Sequence, residues 1–405
     1  MVLINVLFAI AGIFQTVVSQ DITVNGIVVP KLKSDFKKGD QPAEWAKGYP
    51  KQWGSEDFHY QLNDPIPPER YFQGLITEDE KYLVMFNASH ASFMDLGTNL
   101  TVSTFALDTP PGYTDGFAVL SAPQGGYDLF RSIVASEAPN TEKTLRMHIS
   151  SDALRIGEPT SVIGRMGTFD KNGRLSTTNG RIYNFDSPDS YVTLQNASNV
   201  YRASFSGDGQ YLSASNYQDG SVILWNTTSG ERIPLSSWAA THPVATQISP
   251  DNKYIADIVD TGDVLIHSLA NLTSEPKLLG NVRYDLLSFT IAWSPNGHYL
   301  AVNDRGRMRI WKFPEAELVQ TWEVEKPSDG GNGNWPEIYW LDGGNKVSWT
   351  YRYGRAMYDF DSNLKWWWTP GPWDHSWDDG TVYFFKKGGY QVTVDGDSVV
   401  RFWRA

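Results

Sequence analysis

The stretch SGDGQYLSASNYQDGSVILW, Ser206 to Trp225, packs a turn, a strand, a second turn and a second strand into twenty residues. Gly207, Asp208 and Gly209 supply turn chemistry, because glycine tolerates positive φ and an aspartate side chain bonds the backbone two residues on. Tyr211 to Ser215 alternates large and small side chains, and Val222 to Trp225 is a β-branched and aromatic run too short for a helix. Both segments read as strands. A lone hairpin is marginal in water, so this unit needs neighbours to cover it.

Neighbours of the same kind recur along the chain. Strand-opening turns stand at Thr77–Leu83, Pro123–Tyr127, Asp170–Leu175, Ser206–Leu212, Ser249–Ile255, Ser294–Leu300, Leu341–Val347 and Lys387–Tyr390. Their centres are separated by about 36 to 47 residues, the period of a four-stranded propeller blade. Most are followed by a second turn and a strand of matching character: DVLIH after Gly262, RMRIW after Gly306, RAMYDF after Gly354 and SVVRFW after Asp397. Stretches such as YVTLQN then YRASF, or LVQTWEV then EIYWL, supply two more strands per module. Eight turns favour eight modules, and seven is the alternative if the turn at Pro123–Tyr127 is an insertion.

The patterns SPDNKYIAD…GDVLIH (Ser249–His267) and SPNGHYLAV…GRMRIW (Ser294–Trp311) resemble the second half of a WD40-type repeat, and a weaker likeness runs over residues 70–405. The resemblance implies an all-β fold, a β-propeller of four-stranded WD40-like blades, of the kind also grouped with quinoprotein amine dehydrogenase-like propellers. The sequence departs from that pattern where Trp225-Asn226, Trp311-Lys312 and Trp403-Arg404 occupy the place of the signature dipeptide. The Gly-His element is also missing, with Thr241-His242 the nearest approach. Blades must therefore be pinned by something other than the usual side-chain network. The chain stops just after a third strand, so the last blade needs its outermost strand from the N-terminal side. Ile22–Val29 and Phe58–Leu62 are the two candidates.

An apolar run from Val2 to Val18, broken by Asn5, Gln15 and Thr16 and followed by Ser19, reads as a secretory signal peptide spanning residues 1–19. Residues 20–69 then form an arm that contributes a closing strand, and residues 70–405 form the propeller. No later run approaches the twenty or so apolar residues of a spanning helix. The expected location is extracellular. Five glycosylation sequons fit that compartment, at Asn87, Asn99, Asn196, Asn226 and Asn271. Cysteine is absent, which excludes disulfides, thiolate metal sites and cysteine nucleophiles. A net charge of −12 argues against nucleic acid and anionic membrane as partners, since phosphate-binding surfaces need clustered Lys and Arg.

The most distinctive segment is WWWTPGPWDHSWDDG, Trp366 to Gly380. Aromatic faces beside carboxylates suit the C–H faces and hydroxyls of a sugar, which makes Trp366, Trp368, Trp373, Asp374, His375 and Trp377 the candidate ligand-binding residues. The alternative is that these rings pack between blades. Seven scattered His show no metal-ligand spacing, and only Asp374-His375 near Asp378 and Asp379 offers a place to test for an ion. No nucleophile elbow, phosphate loop or dinucleotide fingerprint is present, so neither a catalytic residue nor a cofactor is assigned. The expected function is a secreted, glycosylated binding module for an extracellular protein or glycan. The alternative is a propeller enzyme, a glycosidase, lactonase or quinone-dependent oxidoreductase, with its site at the channel mouth. Expression through a eukaryotic secretory pathway should yield a mature chain beginning at Gln20, and enzymatic removal of N-glycans should lower its mass. Terminal sequencing and mass spectrometry check both, and a retained Met1 in the medium would contradict the leader.

Overall fold

The recurring turn is built on a buried hydroxyl. In the computed structural model, Ser206 Oγ donates to Asp208 Oδ1 at 2.6 Å, and that carboxylate accepts the Gln210 N–H at 3.0 Å. The same hydroxyl accepts the Tyr211 N–H at 2.9 Å, the first donor of the next strand. Thr77–Asp79, Ser249–Asp251 and Ser294–Asn296 repeat the arrangement, each with a hydroxyl-to-Oδ1 distance of 2.7 Å. In each case the following tyrosine (Tyr82, Tyr254 or Tyr299) gives its N–H to the hydroxyl. Burial pulls the carboxyls of Asp79, Asp208 and Asp251 upward, yet these hydrogen bonds outweigh it and hold all three below the usual carboxylate value.

The structure describes residues 22–24, 27–29, 31–32, 51–52, 55–61, 73–86, 89–107, 113–134, 142–197, 200–216, 221–236, 243–282, 289–304, 307–324, 337–351, 354–362, 364–368, 381–384, 390–394 and 399–404. Among them the chain forms consecutive antiparallel sheets, each of four strands, with one short 3-10 turn at Asp342–Gly344 and no other helix. Sheet 1 runs from Gln73 to Ala106, sheet 2 from Tyr113 to Ile163, sheet 3 from Met166 to Thr193 and sheet 4 from Val200 to Ile233. Sheet 5 covers Pro243 to Asn281, sheet 6 Thr290 to Val324 and sheet 7 Ile338 to Trp368. The turn at Pro123–Tyr127 belongs to a four-stranded sheet of its own. This all-β array is consistent with a β-propeller.

Sheet 8 has three strands of its own, Thr381–Phe384, Tyr390–Val394 and Val399–Arg404. Its fourth is Ser55–Gln61, antiparallel to Val399–Arg404 with Val399 opposite Gln61 and Arg404 opposite Ser55. Of the two candidate donors, the one around Phe58 therefore takes this position. Ile22–Val24 and Ile27–Val29 instead pair with each other. Lys31–Leu32 and Lys51–Gln52 add parallel fifth strands to the outer edges of sheets 6 and 7. The arm thus covers backbone edges that would otherwise template association.

Innermost strands of successive sheets lie side by side from sheet 3 to sheet 7, and that of sheet 8 lies against that of sheet 1. Apolar layers fill the spaces between sheets. Tyr127 of sheet 2 packs edge-on to Tyr82 of sheet 1 at 5.7 Å, and Trp293 of sheet 6 stacks on Tyr254 of sheet 5 at 6.1 Å. The indole N–H groups cross the same gaps: Trp293 Nε1 donates to the Gln247 carbonyl and Trp340 Nε1 to the Ala292 carbonyl. Trp225 and Trp311, at the positions of the departed dipeptide, are fully buried. No helix among the described residues is long and apolar enough to cross a membrane, and Val2–Val18 lies outside them.

Ser249→Ala should cost about 1–3 kcal/mol, because it strands the Tyr254 N–H and one Asp251 lone pair. Ser249→Thr should stay within about 1 kcal/mol, since Thr77 already performs this role in sheet 1. Guanidinium unfolding midpoints check the pair, and equal losses would show that the hydroxyl is not what holds the turn.

Candidate functional site

A cleft of about 590 Å³ opens between sheets 2 and 3, on the face where the first-to-second and third-to-fourth strand turns emerge. Its floor is a charge ladder. Asp128, on the second strand of sheet 2, is nearly buried and accepts the Arg146 guanidinium at 2.7 Å. Arg146 sits on the third strand opposite Phe130, two residues before His148, the register partner of Asp128, and reaches across to Asp186 of sheet 3 at 3.0 Å. His148 Nδ1 approaches the second Asp128 oxygen at 3.1 Å. Desolvation works against the Arg146 charge, but the bonds to Asp128 and Asp186 outweigh it and raise the pKa above the usual guanidinium value.

Apolar rings frame this ladder. Phe130 packs on Phe169 and Phe185, and the Arg146 guanidinium lies 6.0 Å from the Phe185 ring centre. The rim carries Glu78, which accepts a bond from Ser121 Oγ at 3.2 Å, together with Lys171 and Asp186. Asp170 is turned away from ligand work: it receives the Asn172 and Arg174 N–H groups and the Arg174 Nε at 2.7 Å. Arg174 then donates to the Gly209 carbonyl of sheet 4 at 2.6 Å. The cleft is therefore rigid below and charged above, with two exposed carboxylates and one amine on its rim.

The aromatic patch read from the sequence is not the site described here. Trp366 and Trp368 lie in the outermost strand of sheet 7, where Trp366 pairs with Met357 on one side and Lys51 on the other, and Trp368 pairs with Arg355. Trp373, Asp374, His375 and Trp377 lie outside the described residues, as do Asp378 and Asp379. Among the described residues no three His, Asp or Glu side chains come together as a metal site. Of the sequons, Asn196 and Asn271 are exposed, while Asn99 and Asn226 are half-buried beside turns. Asn226 Oδ1 is engaged by the Thr228 and Ser229 N–H groups. Asn87 falls outside the described residues.

Comparison with protein families finds a match to the WD domain, G-beta repeat, over residues 189–226. The matched span begins just before the outermost strand of sheet 3 and ends with the third strand of sheet 4. The sequence repeat is therefore offset from the structural sheet by one strand, which is the stagger that leaves sheet 8 short of a strand at the C-terminal end. Comparison with curated proteins returns no match.

Sequence reading missed Asp128, Arg146, Phe185 and Asp186, because they come from two strands and a turn that no local pattern links. Only Lys171 and Glu78 stood in turns already marked. Asp128→Asn should destabilise the protein by about 3 kcal/mol, since it leaves a mostly buried guanidinium half-paired. Asp186→Ala should cost less than about 1 kcal/mol, because that carboxylate side chain is 64% exposed. Denaturant titrations of both variants check the contrast, and comparable losses would show that the ladder is not anchored at Asp128.

Proposed function

We propose that the chain is a protein-interaction module, an eight-bladed propeller whose eight sheets close into a ring sealed by Ser55–Gln61, and that a partner protein docks over the cleft between sheets 2 and 3. On this reading residues 1–19 are removed, residues 20–69 are the sealing arm, residues 70–405 are the ring, and the module works outside the cell with glycans on its sequons. The contact of the innermost strands of sheets 8 and 1, together with the donated fourth strand, supports closure. The WD repeat match supports the interaction role, because propellers of this repeat present rigid faces to protein partners.

The observation that carries the docking reading is the construction of the cleft. Its wall side chains are already bonded to one another, so a partner meets a preorganised surface and little ordering is needed on binding. Glu78, Asp186 and Lys171 on the rim offer both charge signs, which suits a polypeptide carrying both. The sharpest test places a photo-crosslinking amino acid at position 171, and separately at position 278 on the outer strand of sheet 5. A discrete protein adduct is expected from conditioned medium at position 171 and none at position 278. The adduct should fall at least tenfold when Glu78→Arg and Asp186→Arg are introduced together. No adduct at position 171, or one indifferent to the charge reversal, would remove the docking surface.

A further inference from the structure

A second cavity, of about 390 Å³, lies along the innermost strands of sheets 3 to 6. Arg202 stands in its wall. The strand Val200–Phe205 bulges between Tyr201 and Ser204, and Arg202 sits in that bulge with φ of 47°. Long side chains seldom adopt this left-handed conformation, and where it persists the surroundings impose it. A bulge of this kind re-aims a side chain.

The guanidinium has one partner among the described residues. Nη1 donates to the Phe289 carbonyl at 2.5 Å, which leaves the Nε and Nη2 edge with donors to give. Arg202 is exposed to solvent, and desolvation by its neighbours lowers its pKa from the usual guanidinium value. The polar lining comprises Thr168, Ser204, Thr246, Gln247 and Thr290, with no carboxylate among the described residues. Gln247 Oε1 accepts the Trp293 N–H at 2.7 Å, so its amide nitrogen is the end left to donate. The contrast with Arg146, held between two carboxylates, is internal to the same molecule.

We propose that this cavity binds a carboxylate, seated on the open edge of the Arg202 guanidinium with the Gln247 amide donating beside it. The fork of a guanidinium matches the planar, two-oxygen geometry of a carboxylate. A guanidinium with no acid beside it among the described residues is the arrangement such a ligand neutralises. The cavity has room for more than a bare ion, so the carboxylate belongs either to a small free acid or to an acidic side chain delivered by a polypeptide. This proposal stands apart from the docking cleft and survives its failure.

Ligand-observed saturation-transfer NMR on the full-length secreted protein tests it, with acetate in one arm and a hexaglutamate peptide in the other, at ionic strength held constant with chloride. Saturable binding is expected in at least one arm. Arg202→Asn should weaken it at least tenfold without unfolding the protein, because asparagine tolerates left-handed backbone. Arg202→Lys should retain part of the affinity, keeping the charge and losing the fork. Gln247→Glu provides an independent variant: it keeps an acceptor for the Trp293 N–H, places a carboxylate in the cavity, and should also weaken binding at least tenfold. Binding of acetate assigns a free acid as ligand, and binding of the peptide alone assigns a polypeptide side chain; either upholds the site. No saturable binding in both arms, or binding unchanged in Arg202→Asn and Gln247→Glu, overturns it.

Discussion

In four of the turns a buried hydroxyl sets how one strand hands over to the next. Ser206, Ser249 and Ser294 each accept the N–H of the first residue of the next strand while donating to an Asp or Asn two residues on. The turn is thus closed by its own side chains, and the strand begins with its first donor already satisfied. Where the hydroxyl is missing, other chemistry reaches the same geometry. Sheet 3 gives the work to Asp170, whose Oδ1 accepts both the Asn172 and the Arg174 N–H. Sheet 2 uses backbone alone, with Gly125 and Gly126 at positive φ and a Cβ on Gly126 placed 2.2 Å from the Ile149 carbonyl. A fixed separation between first and second strands is evidently the constraint, and the residue types are means to it.

Because each turn is rigid, it can also serve as a surface for the next. A Cβ on Gly207 would stand 2.3 Å from the Pro250 carbonyl, so the turn of sheet 4 lies directly against that of sheet 5. Tyr127 of sheet 2 donates its hydroxyl to Asp79 of the sheet 1 turn at 2.7 Å, and burial together with that carboxylate pushes the phenol well above its usual value. Arg174 ties sheet 3 to the Gly209 carbonyl of sheet 4. The turn face therefore behaves as one bonded layer rather than a fringe of independent loops. The cleft between sheets 2 and 3 is walled in part by turns of that layer.

The fold was legible where the physics is local. The period of the turns and the alternating strands follow from contacts within about fifty residues. Register and the choice between donors were not legible, since Ile22–Val29 and Phe58–Leu62 are both short β-prone runs and only competition for an edge separates them. The cavities were less visible still. Arg202 is unremarkable in YRASF; its meaning lies in a bulge, a backbone angle and a carbonyl contributed by a distant strand. Trp225, Trp311 and Trp349 are wholly buried between sheets, whereas Trp373 to Trp377 lie outside the described residues.

The same reasoning accounts for how far the repeats of this chain diverge from one another. A family pattern persists only if each unit uses the same residues to fasten itself to the next, and here the fastenings differ. Between sheets 2 and 3 the pin is Arg146 with Asp128 and Asp186. Between sheets 3 and 4 it is Arg174 with Asp170 and Gly209. Between sheets 5 and 6, and between 6 and 7, an indole N–H crosses to a strand carbonyl. Each pin joins polar groups across a seam by different residues, and each leaves a different trace in the sequence. Geometry was held constant while the chemistry at each seam diverged, so the turns kept their signature and the fastenings lost theirs.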